Sequence, residues 1–245
     1  MSRRARTALA VVALAGLAAL AVWAVSGLLP FGTPSGPANR LVRTLDHKRQ
    51  VANAVNGITY DMRGVDTLGE ELILFVAALG SAVLLRHRRD DVEEEERAAG
   101  PPIADALRVA GTVLVAPLIV LGAYVVGTGH LGPGGGFQGG VILASGLLLA
   151  YAAGQVVALE RVEPTALVEV AEATGALAYA LVAVGGLVFG SAALANFLPF
   201  GTIGQPLSSG TIAVLSIGVG LEVTGAVALI LTEFLDQTLL RGGEE

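Results

Sequence analysis

Few residues in this sequence can do chemistry, and they stand where a charge is costly. Glu222 lies near the middle of the apolar run 211–231, and an acidic residue at the centre of a membrane-crossing helix costs about 2.5–3.5 kcal/mol even on insertion-based scales. It must therefore face protein or water. Gly218 and Gly225, four residues before it and three after, leave room for a close neighbour on that face. Such a carboxyl suits one of two tasks, carrying a proton or cation or bonding to an adjacent helix. Asp66, Glu70 and Glu71 form a second group at the start of the run 68–85, with Asp66 and Glu70 on one helical face. Their oxygens suit hard cations, and acids at that position also cap a helix and complement its dipole. His130, in a glycine-rich loop, is able either to relay protons near neutral pH or to fix the turn through a hydrogen bond.

The composition names the solvent in which these groups work. Of 245 residues, 53% are hydrophobic and 15% charged, against about 25% charged in a soluble domain. The charges cluster, leaving six apolar runs of about 20 residues, the length that crosses about 30 Å of hydrocarbon as a helix. The expected fold is therefore all-α and polytopic, with the runs at 7–29, 68–85, 106–127, 139–159, 173–194 and 211–231. The first is longer than the apolar core of a secretory signal and is read as a retained helix. The absence of cysteine excludes disulfides and thiolate chemistry. No basic stripe with interleaved aromatics is present to bind nucleic acid, and the net charge of -6 comes largely from Glu93–Glu96 and the C-terminal Glu244 and Glu245.

The runs fall into a group of two and a group of four, separated by the acidic, proline-ended stretch 90–102. This predicts one module at 1–89, a solvated linker and a second module at 103–245. Within the polar stretch 30–66, Val51, Val55 and Ile58 have helical spacing, which predicts a short helix at the interface. Pro117 should kink the helix that contains it. Gly186 and Gly190 suit a close approach of two backbones. The loops 128–138 and 195–210 lack Lys and Arg, whereas the N-terminus has three and the stretch after the second run four. Both termini are then expected in the cytoplasm. The five Lys and Arg of 30–66 oppose that rule, so an interfacial or partner-covered loop is expected there.

The densest motif runs from Gly127 to Gly140 and includes His130, Pro133, Gly134, Gly135, Gly136, Phe137, Gly139 and Gly140. Its first six residues match G-x-G-x-x-G, but a dinucleotide site needs a preceding strand, and a long apolar helix precedes this one. A tight turn at the membrane surface is the natural product of so many glycines.

The string GHLGPGGGFQGGVILASGLLLA at 129–150 resembles the signature of the MnhB/MrpB family, the B subunits of Mrp-type Na+/H+ antiporters. Matches at 197–201, 209–211 and 218–223 extend the likeness over 103–235. Residues 56–70, with Asp61, Arg63, Gly64, Asp66, Gly69 and Glu70, resemble the D-F-R-G-F-D-T-x-G-E pattern at the end of the large A-type subunits of Mrp complexes and in MbhE-type hydrogenase subunits. Met62 and Val65 replace its two aromatics. The resemblance implies a fusion of an A-type tail to a B-type chain. It implies a non-enzymatic membrane subunit, with no cofactor, that moves Na+ or another monovalent cation against H+. The partners implied are the other Mrp subunits, of the A, C, D, E, F and G types, some related to complex I membrane subunits. Asp66, Glu70, Glu222 and His130 are then the ion-path candidates, with Glu→Gln expected to cost more transport at 70 than at 222. A purely structural subunit and a subunit of a hydrogenase-type complex are the competing expectations.

Overall fold

A computed structural model describes residues 3–27, 36–86, 105–153 and 164–241. The linker 90–102 lies outside the described residues. The helices are α1 (Arg3–Ser26), α2 (Gly36–Arg49), α3 (Ala54–Gly57), α4 (Gly64–Arg86), α5 (Asp105–Gly127), α6 (Gly136–Ala152), α7 (Pro164–Phe189) and α8 (Thr211–Arg241), with a π-helical turn at Ile58–Met62 before α4. The protein is all-α and multi-pass. Four helices are long and apolar enough to cross a membrane, at Gly64–Leu85, Arg108–Gly127, Val168–Phe189 and Thr211–Phe234, and Val11–Ser26 and Gly136–Tyr151 are shorter apolar helices. These six answer to the six expected runs. Two helices extend well beyond their expected bounds: α7 begins at Pro164 instead of 173 and so takes in Glu172, and α8 ends at Arg241 instead of 231.

The chain divides into two compact units, Met1–Leu41 and Val42–Glu245. In the first, Val12, Leu17, Val22 and Trp23 of α1 are exposed, a surface that suits lipid or another protein. The second unit is built around α8, of whose membrane span 61% is buried, against 28% or less for the other three spans. α4, α6 and α7 pack on α8, and α5 packs on α6. Outward faces carry Ile73, Val83, Leu84, Val120 and Leu187.

Glycine makes this packing possible. A side chain at Gly136 would lie 2.5 Å from the Ser216 carbonyl and 2.7 Å from Val219, and one at Gly140 would lie 2.8 Å from Val223. The α6 backbone is thus pressed onto α8, while Gly139 meets Gly122 and Val126 of α5 on its other face. The pair Gly186 and Gly190 works differently from expectation. It accommodates Ala192, Leu194 and Ala195, the chain's own return after α7, and not a second helix. Pro117 stands inside α5.

Helix directions follow from the contacts. Gly175 of α7 meets Gly218 and Glu222, and Gly225 meets Val168 and Glu172, so α7 and α8 are antiparallel. Ala78 and Ala82 of α4 cluster with Ala226 and Leu229, while Tyr60 clusters with Ile212 and Leu215, so α4 runs parallel to α8. One end of the unit therefore gathers the segment after α2, the glycine motif and the loop 190–210.

Asn53 ties that end together. Its Nδ2 donates to the carbonyls of Gly129, Gly132 and Gly134 at 2.7, 2.6 and 3.1 Å. Its Oδ1 accepts from Val55 and Asn56, capping α3, and its backbone N–H donates to the His130 carbonyl at 3.1 Å. Gly134 takes φ +113°, a conformation that favours glycine. Pro133 is exposed beside it. Gln50 holds the loop 190–210, accepting from the Ile203 N–H at 2.9 Å through Oε1 and from the Ser209 hydroxyl at 2.9 Å through its carbonyl. The polar segment is thus a clamp over two loops that lack Lys and Arg. Two of its cations are matched locally, Arg49 by Asp61 at 2.9 Å and Arg63 by Asp66. The single interfacial helix expected from Val51, Val55 and Ile58 does not form: Val51 precedes α3 and is buried, Val55 is exposed, and Ile58 opens the π turn.

His130 is 1% exposed, with Nε2 3.1 Å from the Pro206 carbonyl. Burial lowers its pKa from the ordinary value, and the carbonyls of Pro206 and Gln205 only partly oppose this. The folded loop therefore holds a neutral imidazole that donates from Nε2.

This packing sets the expected response to two changes. Gly136→Val should destabilise the protein by about 1–3 kcal/mol through overpacking, whereas Gln138→Ala, at an exposed position, should be near neutral; thermal unfolding in detergent measures both. Because the folded state binds the His130 proton less tightly than the unfolded state, stability should fall as pH drops below about 6.5. His130→Gln, which keeps a donor near Pro206, should flatten that dependence in unfolding curves recorded across the acid range.

Candidate functional site

The first turns of α4 sort their acids by helical phase. Asp66 and Glu70 are exposed, and Asp66 pairs with Arg63. Glu71, one residue further, is 2% exposed and shares the inward face with Ala78 and Ala82. On α8, Glu222 is 0% exposed. The two carboxyls are direct neighbours, each acting on the other, in two spanning helices. Among the described residues, no donor from outside the pair reaches any of their four oxygens, and a proton on either carboxyl joins it to the other by a hydrogen bond. Two negative charges without a counter-charge are not sustained in such a setting. A proton or a cation has to accompany the pair.

Two buried tyrosines line the pair. Tyr60 and Tyr179 are 2% and 1% exposed and both act on Glu71. The Tyr179 hydroxyl donates to the Gly64 carbonyl at 2.8 Å, which fixes α7 against the start of α4. The Thr67 hydroxyl donates to the Thr59 carbonyl at 3.1 Å, and the Arg63 amide donates to the Ile58 carbonyl at 2.8 Å, so the π turn delivers Tyr60 to the pair. Burial raises the Tyr60 pKa well above the ordinary value, the Glu71 charge adds to this, and the Gly136 backbone opposes it. Tyr60 therefore remains a hydroxyl and joins the glycine motif to the carboxyl pair. Phe137 packs against the same apolar cluster. Gly69 borders open space and makes no close approach.

Of the residues singled out from sequence, Glu222 is at this centre, Asp66 and Glu70 are on an exposed face beside it, and His130 is in the loop clamp, where only backbone carbonyls act on it. Glu71, Tyr60 and Tyr179 are the members that sequence reasoning did not place among the ion-path candidates. A signal for Glu71 existed: Ala78 and Ala82 lie seven and eleven residues on, a small-residue stripe on one face that marks the packed side. The tyrosines had none, because Tyr60 is placed by a π turn and Tyr179 by a bond to a residue 115 positions away.

The same arrangement of helices is found in known proteins. Residues 1–99 match the family of E-type subunits of MBH. The chain is 31% identical over 214 residues to a probable K(+)/H(+) antiporter A/B subunit of Rhizobium meliloti, covering 76% of this chain and 21% of that relative. In structure it resembles a chain of the membrane-bound sulfane sulfur reductase, an archaeal respiratory membrane complex, with a TM-score of 0.70 and 25% identity over 92% of this chain and 97% of that one. It also shares its fold with a chain of the Mrp complex from a Dietzia species, with a TM-score of 0.68 and 24% identity over 95% of this chain and 26% of the other. Residues 106–229, just over half of the chain, match the domain related to the MnhB subunit of Na+/H+ antiporters, and the chain belongs to that family.

Proposed function

We propose that this protein is a non-enzymatic membrane subunit of a multisubunit antiporter exchanging a monovalent cation for protons, and that Glu71 and Glu222 form a station on its ion path. The observation that carries this is the pair of neighbouring, fully buried carboxyls with no donor from outside the pair among the described residues. A purely structural pair would be matched by donors from the neighbouring helices, since a buried acceptor left without one costs about 1–3 kcal/mol, whereas here the pair depends on an exchangeable proton or cation. Asp66 and Glu70, exposed at the start of α4, serve as the approach to that station. The two modules, 1–89 and 103–245, supply one helix each to it, α4 and α8. The other Mrp-type subunits are the partners. The protein resides in the cell membrane with both termini in the cytoplasm and the clamped loops outside.

A respiratory complex is the second reading, favoured by the archaeal reductase chain that this protein matches over almost its whole length. The subunits that co-purify with the tagged chain separate the two, since redox subunits with iron–sulfur centres belong only to the second.

Glu71→Gln and Glu222→Gln should each lower cation/proton exchange by about tenfold or more, measured in vesicles with the assembled complex quantified. Glu70→Gln should cost less, the reverse of the order expected from sequence, because Glu70 is open to water or to other subunits. Normal exchange in fully assembled Glu71→Gln and Glu222→Gln complexes would leave only a structural role. Orientation is tested separately in this cysteine-free chain. A membrane-impermeant thiol reagent should label Pro133→Cys and Gln205→Cys in intact cells, and Asp105→Cys only after permeabilisation; the opposite pattern inverts the topology.

A further inference from the structure

The seam between α7 and α8 contains a repeat. Glu172-Ala-Thr-Gly175-Ala176 and Glu222-Val-Thr-Gly225-Ala226 are the same five-residue pattern, Glu-x-Thr-Gly-Ala, on two antiparallel helices. The pattern is used reciprocally. Glu222 lies over Gly175, where an added Cβ would be 2.7 Å from the Glu222 Cβ, and Glu172 lies over Gly225, where it would be 2.7 Å from the Glu172 Cβ. Each glutamate therefore occupies the space that the other helix's glycine leaves open, and a local two-fold axis in the seam relates the two.

Glu172 is 2% exposed, and its Oε1 has no hydrogen-bond partner among the described residues. The charge of Glu222 acts on it, as does that of Glu169, one turn back on the exposed face of α7. Glu222 is in turn the neighbour of Glu71. Along the membrane normal the order is set by the helices. Glu71 and Glu222 lie inward of the clamped loops, and Glu172 stands in the first turns of the span Val168–Phe189, toward the opposite surface. Among the described residues, no three acidic or histidine side chains converge closely enough to hold a metal ion. The arrangement is a row and not a cage, and a row suits a proton handed from group to group.

Resting on the ion-path reading of the Glu71–Glu222 pair, we infer that Glu172 is the next proton station, linking that pair to the membrane surface at which α7 begins. In the forward step the Glu222 carboxylic acid gives its proton to the Glu172 carboxylate. The O–H bond breaks at Glu222 and forms at Glu172, leaving a carboxylate at 222 that is reprotonated from Glu71. Glu172 then releases the proton toward Glu169 and water.

The test uses the assembled complex in vesicles, with proton flux followed by a pH-sensitive dye and subunit content quantified, for Glu172→Gln, Glu172→Asp and Glu222→Gln. Glu172→Gln should assemble normally and lose proton flux by about tenfold or more, with Glu172→Asp recovering part of it. Infrared difference spectra on a pH step should lose one carboxylic acid band in Glu172→Gln and show the band that Glu222→Gln removes displaced, because the two groups are coupled. Loss of flux in Glu222→Gln with normal flux in Glu172→Gln would overturn the relay and leave the carboxyl pair standing. Normal flux in both would remove the ion-path reading itself. Failure of both Glu172→Gln and Glu172→Asp to assemble would assign Glu172 to packing and overturn the relay.

Discussion

Backbone proximity around α8 is the constraint on which the rest of the second unit depends. Its neighbours reach it at positions where a side chain would collide: Gly136 and Gly140 from α6, Gly175 from α7, and Gly225 on α8 itself. In lipid there is little hydrophobic drive to bring helices together, so contact area between closely approached backbones has to supply it. The same proximity buries the carboxyls of Glu71, Glu172 and Glu222 away from water. Packing and electrostatics are thus one design. Widening the seam would both loosen the fold and hydrate the acids.

The membrane class and the apolar helices were legible because hydrocarbon solvation acts on composition over about 20 residues at a time. Glu222 was legible for the same reason, as a charge isolated in such a stretch. Glu71 was hidden by its neighbour. Two adjacent acids near a helix start differ by about 100° in phase, and which one turns inward depends on where the helix begins and on what packs beside it. The start of α7 was misplaced because Glu169 and Glu172 read as loop, although Glu172 enters the helix as a buried group. Gly186 and Gly190 carried a correct signal for close approach, with a wrong partner, since spacing cannot tell a neighbouring helix from the chain folding back.

The polar segment that conflicted with charge-based topology is explained by what it does. Gln50 and Asn53 provide hydrogen bonds to loop backbone that would otherwise be left open at the membrane surface, and irregular backbone at that depth needs such partners. Arg49 adds a contact over the Phe200 ring at 5.2 Å while it pairs with Asp61. Gln50 and Ser209 accept left-handed backbone, φ 55° and 70°, as part of this junction, a strain that the hydrogen bond between them helps to offset.

That junction has a consequence for how such an assembly holds its composition. The clamp at 50–56 and the loops it grips belong to one polypeptide, so their meeting is intramolecular and involves no loss of the translational freedom that separate chains give up on association. Dilution in the bilayer, or unequal synthesis of two polypeptides, leaves such a contact intact. The ratio of clamp to loop is one by covalent structure, and neither surface is left uncovered to aggregate or to be degraded alone.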